Sequence, residues 1–362
     1  MTKTERKEII QKYREAYPAV HRMALVFGNC RIRVTANSEH LIDELTTYYG
    51  TFVTPDAPDN ADIGITVHEA PTPELPERFT VRQPDPGKTK IKEEYLDLAN
   101  GRIVRKRLTG MIFVFGEGEN LAIGPCMENS NQVVNFINNR FIEWELCRGC
   151  LLGHAAGVIC DGKGLALAGF SGAGKSTLAL HIMSRGATFV SNDRLMIEQQ
   201  DSGLIMYGVA KLPRINPGTI LNNPDLASVM TADERRRFSG LPKAELWNLE
   251  YKYDAPIDIC FGPDRFELDA PMNALAILNW KHGAGPMSVR EVRLSERADL
   301  LPAFMKSTGL FFTPCDGCGM PEPSAENYAQ YLSLCRVLEF SGGVDFKKAA
   351  EICVTFLKTG VL

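Results

Sequence analysis

From Gly169 to Asp193 the chain reads GFSGAGKSTLALHIMSRGATFVSND, and its residue types suit the handling of a phosphate. Gly169-Phe170-Ser171-Gly172-Ala173-Gly174-Lys175-Ser176 follows G-x-x-x-x-G-K-[ST]. In that pattern the glycines let a turn curl until successive backbone N–H groups face an anion. Lys175 would reach the outer phosphates, and Ser176 would offer its hydroxyl to Mg2+. The residues expected to hold a nucleotide are Gly169, Ser171, Gly172, Ala173, Gly174, Lys175, Ser176 and Thr177. Asp193 stands 18 residues after Lys175. That short spacing leaves no room for the long signature of a transporter ATPase, and no N-K-x-D element for reading guanine is found.

The flanking residues must position this turn. LALAG (165–169) is an apolar run that enters it directly, and HAAGVICDGKGLALAGF splits at Asp161-Gly162 as a hairpin does. STLALHIMSR has helical character, Gly186 would cap it, and ATFVSND reads as a strand ending in acid. The following helix aims its N-terminus at the same anion. Upstream, NSNQVVNFINNRFIEWELCRGCLLG (129–153) spaces its apolar residues as a helical face. Further strands are expected near 204–209, 257–261, 274–280 and 287–294, and helices near 295–307, 324–337 and 344–358.

The N-terminal part carries no catalytic motif. Residues 3–15 read as a polar helix, 23–36 as one or two strands, and 38–52 as a helix capped by Ser38. IGITVHEA (63–70) alternates like a strand, a Pro-rich connector follows, and 93–124 has the rhythm of a β-meander turning at Asn100-Gly101 and Gly116–Gly118.

In 362 residues, 44% hydrophobic and 23% charged content leaves room for two domains with real cores. A net charge of −4 gives no positive field to steer a polyanion, so nucleic-acid binding is not expected. The tryptophans (Trp144, Trp247, Trp280) do not interleave with basic residues either. No apolar run reaches the length of a membrane span, and MTKTERKEIIQKYREAYP lacks the features of a secretory signal. The expected location is cytoplasmic, with all ten cysteines reduced.

Residues 151–220, with LLGHAAGVICDGKGLALAGFSGAGKSTLALHIMSRGATFVSNDRLMIE and YGVAKLPRINPGTI, resemble the HPr kinase/phosphorylase family, more closely the HPr kinase-related kinases. In that family a histidine precedes the phosphate loop by one hairpin, a short helix ending in Arg-Gly follows, and a strand ends in an acidic pair. His154, Arg185-Gly186 and Asn192-Asp193 stand at those places. The resemblance implies ATP-dependent phosphorylation of a protein serine, with Mg2+ held by Ser176 and Asp193. It also implies an α/β P-loop kinase core of the HPr kinase / PEP carboxykinase-like type over 128–362, after an N-terminal α+β module over 1–127.

The family's general base precedes the metal ligand, and here that position is Asn192. An amide can orient a hydroxyl but cannot take its proton. Glu250, Asp254 and Asp258 are candidate substitutes, read on a strand or loop because Pro256 intervenes. Lys211 and Arg214 could neutralise a phosphate or an acidic acceptor, and His154 could carry a proton or bind phosphate beside the γ-position. The expected catalytic set is Lys175, Asp193, Asn192, His154 and Arg214.

Two C-x-x-C pairs, Cys147/Cys150 and Cys315/Cys318, suit zinc singly, but the 165 residues from Cys150 to Cys315 favour separate reduced thiols. The run Asp233–Arg237 reads as a solvated face.

The expected partners are ATP, Mg2+ and a serine-bearing or HPr-like protein, with homo-oligomerisation left open. A small-molecule hydroxyl is the alternative acceptor. The competing reading is a nucleotide-gated module with weak or no transfer.

Overall fold

Period-two burial sets up the first sheet. The computed structural model describes residues 3–55, 60–75, 78–84, 89–170, 172–249, 251–313 and 324–362. Two units emerge, Met1–Arg148 with Thr308–Met320, and Gly149–Ser307 with Pro321–Leu362.

The first unit opens with α1 (Lys3–Ala16), β1 (His21–Phe27), β2 (Cys30–Ala36) and α2 (Glu39–Tyr49). In β2 every second residue is buried, the signature of a strand with one face on a core. β3 (Val53–Thr54), β4 (Ile63–Glu69) and β5 (Thr80–Val81) follow. The predicted meander is β6 (Glu93–Leu98), β7 (Gly101–Lys106), β8 (Ile112–Gly116) and β9 (Glu119–Gly124), all antiparallel neighbours. The sheet order is β3-β1-β2-β4-β9-β8-β7-β6-β5, with β2, β4 and β9 parallel to one another.

α3 (Ser130–Leu146) belongs to this unit, so the boundary falls after Arg148 and not near residue 127. The reason is packing. Phe136 of α3 meets Phe113 at 4.8 Å between ring centroids, and the buried Arg140 lies 4.1 Å over the Phe115 ring while pairing with Glu143. Phe136→Ala alone would cost about 3–5 kcal/mol, the usual range for a buried aromatic. A sequence-local reading cannot see which core a helical face serves.

The second unit begins with β10 (Leu151–Gly153), β11 (Ala155–Cys160), β12 (Lys163–Gly169) and α4 (Lys175–Met183). Next come β13 (Thr188–Ser191), β14 (Leu195–Gln200), β15 (Gly203–Tyr207) and β16 (Arg214–Ile215). An arm follows, with α5 (Pro217–Leu221), α6 (Ala232–Ser239), α7 (Lys243–Asn248), β17 (Tyr253–Asp254) and α8 (Ile257–Phe261). β18 (Asp269–Leu278), β19 (Met287–Val292), α9 (Ala325–Leu332), β20 (Arg336–Gly342) and α10 (Phe346–Thr359) complete it. The order β10-β14-β15-β18-β12-β11-β13 is extended by β20, which pairs with β18, and by β19, which pairs with β20.

β12 is central, antiparallel to β11 and parallel to β18. Its Leu165 and Leu167 enter the core shared with α4 and α10, while Ala166 and Ala168 enter the core on the opposite face. A strand buried on both faces reads as the unbroken apolar run LALAG.

Three expectations fail for identifiable reasons. Residues 257–261 form α8, not a strand, because IDICF fits i, i+3, i+4 spacing as well as alternation. Within 295–307 only a 3-10 turn forms, Ala298–Ala303, and Pro302 inside it lacks the N–H that an α-helix would need. The helix expected to 337 stops at Leu332, and Arg336–Gly342 is a core strand.

Candidate functional site

The glycine-rich turn lies where β12 passes into α4. Gly174 takes φ +88° at the N-cap of α4, and a Cβ there would meet the Phe346 ring at 2.5 Å. Only glycine fits that backbone beside that ring. Gly172 also has φ +81°, and a Cβ on Gly169 would meet that of Ala173 at 2.9 Å. Trp280 donates its indole N–H to Ala173 O at 2.8 Å, tying the turn to the end of β18. The N-cap of α4 is Gly174, which has no side chain with which to cap it. Ser171 lies outside the described residues.

Lys175 is buried, and its Nζ donates to Gly169 O at 2.9 Å. Burial pushes its ammonium below the usual lysine range, Lys306 adds to the lowering, and Asp193 opposes it. Thr177 shares a 2.8 Å hydroxyl–hydroxyl bond with Thr219 of α5. α4 itself ends at Met183 with Ser184 as its C-cap, not the expected Gly186, which follows two residues later at φ +97°.

His154 and Asp193 come together across the hairpin. His154 Nε2 lies 2.8 Å from Asp193 Oδ1, and the His154 backbone N–H donates to Phe304 O at 2.6 Å. Burial alone would raise the Asp193 carboxyl. The hydrogen bond and charge of His154, joined by Lys306 and Lys175, instead hold it far below the usual carboxylate range. Its side chain keeps 55% of its surface exposed, so solvent screens these charges and no stabilisation energy is assigned.

Beside it, the side-chain amide oxygen of Asn192 is buried and has no hydrogen-bond partner among the described residues. Such an atom is costly to leave unpaired, and it is suited to accept a hydrogen bond from a ligand hydroxyl.

The cations on the far side arrive from distant sequence. Burial lowers the Lys211 ammonium, Arg194 and Arg214 lower it further, and Asp193 and Asp254 pull the other way. Arg214 pairs with Asp254 at 3.4 Å through the short β16–β17 ladder, with both side chains about half exposed. Arg214 and Asp193 thus bear on the same ammonium, that of Lys211, from opposite directions. Asp258 sits in α8, where burial and Asp264 raise its carboxyl, and Glu250 lies outside the described residues. Lys306 bears on both Lys175 and Asp193. Nothing in the sequence around PAFMKST announced it, because its place depends on Met305 pairing with Gly153.

Ser176 and Asp193 offer a hydroxyl and an ionised carboxylate. That donor set fits Mg2+, which is commonly held by one or two carboxylates with phosphate and water oxygens in its remaining positions. Cys315 and Cys318 fall outside the described residues. Cys147 is disulfide-bonded, which corrects the expectation of uniformly reduced thiols. A disulfide needs only a second sulfur at bonding distance, which spacing along the chain does not reveal. Cys150 is free and buried. No described helix is long and apolar enough to cross a membrane.

No protein-family model matches the chain. Two curated proteins do, both named HPr kinase/phosphorylase. The protein from Geobacillus sp. (strain WCH70) is 32% identical over 130 residues, covering 34% of this chain and 40% of the relative. The protein from Geobacillus kaustophilus (strain HTA426) is 25% identical over 183 residues, covering 47% of this chain and 56% of the relative. The chain thus spans about half the length of these relatives. Among solved structures, the Hpr(Ser) kinase/phosphatase from Coxiella burnetii aligns with a TM-score of 0.30 and 13% identity, over 58% of this chain and 95% of that one. The two curated matches bear out the resemblance to the HPr kinase/phosphorylase family seen in the motif order.

Proposed function

We propose that this protein is a Mg-ATP-dependent kinase that transfers the γ-phosphate to a hydroxyl, in the first instance a protein serine. The observation that carries this reading is the uncapped, glycine-built turn before α4, with Lys175 within it and its charge coupled to Asp193. The naming of both curated relatives favours an HPr-like protein as acceptor.

In this reading the backbone of the turn and Lys175 hold the phosphates, and Ser176 and Asp193 would hold Mg2+. The bound metal would supply charge neutralisation between the phosphates. His154 fixes the orientation of the Asp193 carboxylate. The free carbonyl of Asn192 accepts a hydrogen bond from the acceptor hydroxyl. Transfer through a loose transition state depends chiefly on positioning and charge, so an amide at 192 is compatible with it. Lys211 and Arg214 form the edge at which an acidic or phosphorylated group would dock.

The test is incubation with γ-labelled ATP and an HPr-like protein, with Lys175→Ala as control. Serine-linked label that vanishes in the variant is the expected result. Binding of ATP with neither transfer nor phosphate release would instead favour a nucleotide-gated module, the reading that Asn192 in place of an acid supports. Arg214→Ala should lower turnover about ten- to a hundredfold while leaving nucleotide affinity near wild type, since losing one charge-assisted contact costs on the order of 1.5–3 kcal/mol. An unchanged rate would remove Arg214 from the site.

A further inference from the structure

We propose that Lys306 is a second phosphate-facing cation, acting with Lys175 on the outermost phosphate of the bound nucleotide. The inference rests on the nucleotide-binding reading above and adds a residue that no motif contains.

Geometry places it. Met305 forms an antiparallel bridge with Gly153, and the preceding carbonyl, Phe304 O, accepts the His154 N–H at 2.6 Å. The Tyr328 hydroxyl donates to Leu152 O at 2.6 Å and lies 3.5 Å from Lys306 O, so both sides of the bridge are clipped by one buried ring. The fit is tight: a Cβ on Gly153 would meet the Phe304 ring at 2.3 Å. The backbone of residues 304–306 is therefore fixed alongside the very residue, His154, that holds Asp193. The Lys306 side chain is partly buried, and its charge acts on Lys175 and on Asp193 alike. The bridge thus sets Lys306 on the segment beside His154 and Asp193, and the charge it exerts on both ionisable groups agrees with that placement.

The chemistry asks for such a group. One magnesium ion and one lysine leave a nucleoside triphosphate still anionic, and phosphoryl transfer is served by cations aimed at the transferred group. Lys306 and Lys175 oppose each other while both favour the Asp193 carboxylate, a crowding of ionisable groups that functional sites commonly show. A bound triphosphate would add negative charge that both lysines attract. ADP, lacking the outermost phosphate, would gain less.

The experiment is calorimetric titration of MgATP and MgADP into the full chain and into Lys306→Gln, Lys306→Arg and Lys175→Ala, with circular dichroism as the fold check. Lys306→Gln should lose about tenfold in MgATP affinity and little for MgADP, on the scale of one charged contact. Lys306→Arg should retain the preference. A wild-type ATP-to-ADP ratio in a folded Lys306→Gln, with Lys175→Ala losing both nucleotides, would overturn the role of Lys306 and leave the nucleotide site standing. A wild-type chain that binds neither nucleotide would overturn both. Should Lys306→Gln fail to fold, Lys306→Arg decides: an altered ratio in that variant contradicts the proposal, and a retained one supports it.

Discussion

Each unit contains a parallel strand that runs into a helix, and the two junctions are finished in opposite ways. In the first unit β2 leads into α2 through Asn37-Ser38. Ser38 Oγ accepts the Leu41 N–H, and Asn37 exchanges hydrogen bonds with the Glu69 backbone, so the helix start is closed by its own side chains. In the second unit β12 leads into α4 through glycines, and α4 begins on Gly174 with no side-chain cap. A helix that supplies its own cap is complete as it stands. One that starts on bare backbone presents its first N–H groups and the positive end of its dipole to an anion. The same local architecture thus serves structure in one unit and ligand in the other, and the residue types at the turn decide which.

Substitutions can break this contrast. Gly174→Val should do most damage, about 2–3 kcal/mol, because it places a branched side chain at φ +88° against the Phe346 ring. The loss should appear in chemical denaturation of the second unit and as abolished nucleotide binding. A stable, binding-competent variant would show that the turn is not held as described. Ser38→Ala should cost about 1 kcal/mol, the usual loss for an N-cap, with MgATP affinity unchanged. An effect on nucleotide affinity would break the separation of roles.

The smallest effect concerns His68. It is fully buried, its Nδ1 lies 2.9 Å from Tyr17 O, and its Nε2 has no partner. Burial pushes its imidazole below the usual range, against that hydrogen bond, and the charge of Arg14 adds to the lowering. The unfolded chain therefore takes up the proton first. Stability should be full above about pH 6.5 and decline as the pH falls toward the lowered folded value. His68→Gln should flatten that decline in urea midpoints compared between pH 8 and pH 5. Parallel pH profiles would remove His68 as the cause.

What was legible in the sequence follows from how local each feature is. The turn from Gly169 to Ser176, the hairpin at Asp161-Gly162 and the Ser38 cap depend on neighbours within a few residues, and their residue types announce them. His154 and Asp193 are assigned to one site only through the family's motif order, and their mutual pairing is not read at all, since a hairpin and a helix separate them. Lys306 could not be read at all, because a long-range bridge to Gly153 sets its place. The helical face of residues 130–146 was visible, but the core it packs against was not.

A bound nucleotide would complete the β12–α4 junction. Titration of MgATP into the wild-type protein, Lys175→Ala and Ser38→Ala tests that most directly. Saturable binding by wild type and Ser38→Ala is expected, with affinity about a hundredfold weaker in Lys175→Ala, the scale of losing a charged, buried contact of about 3 kcal/mol. Absence of binding by the wild type, or equal binding by Lys175→Ala, would contradict the account.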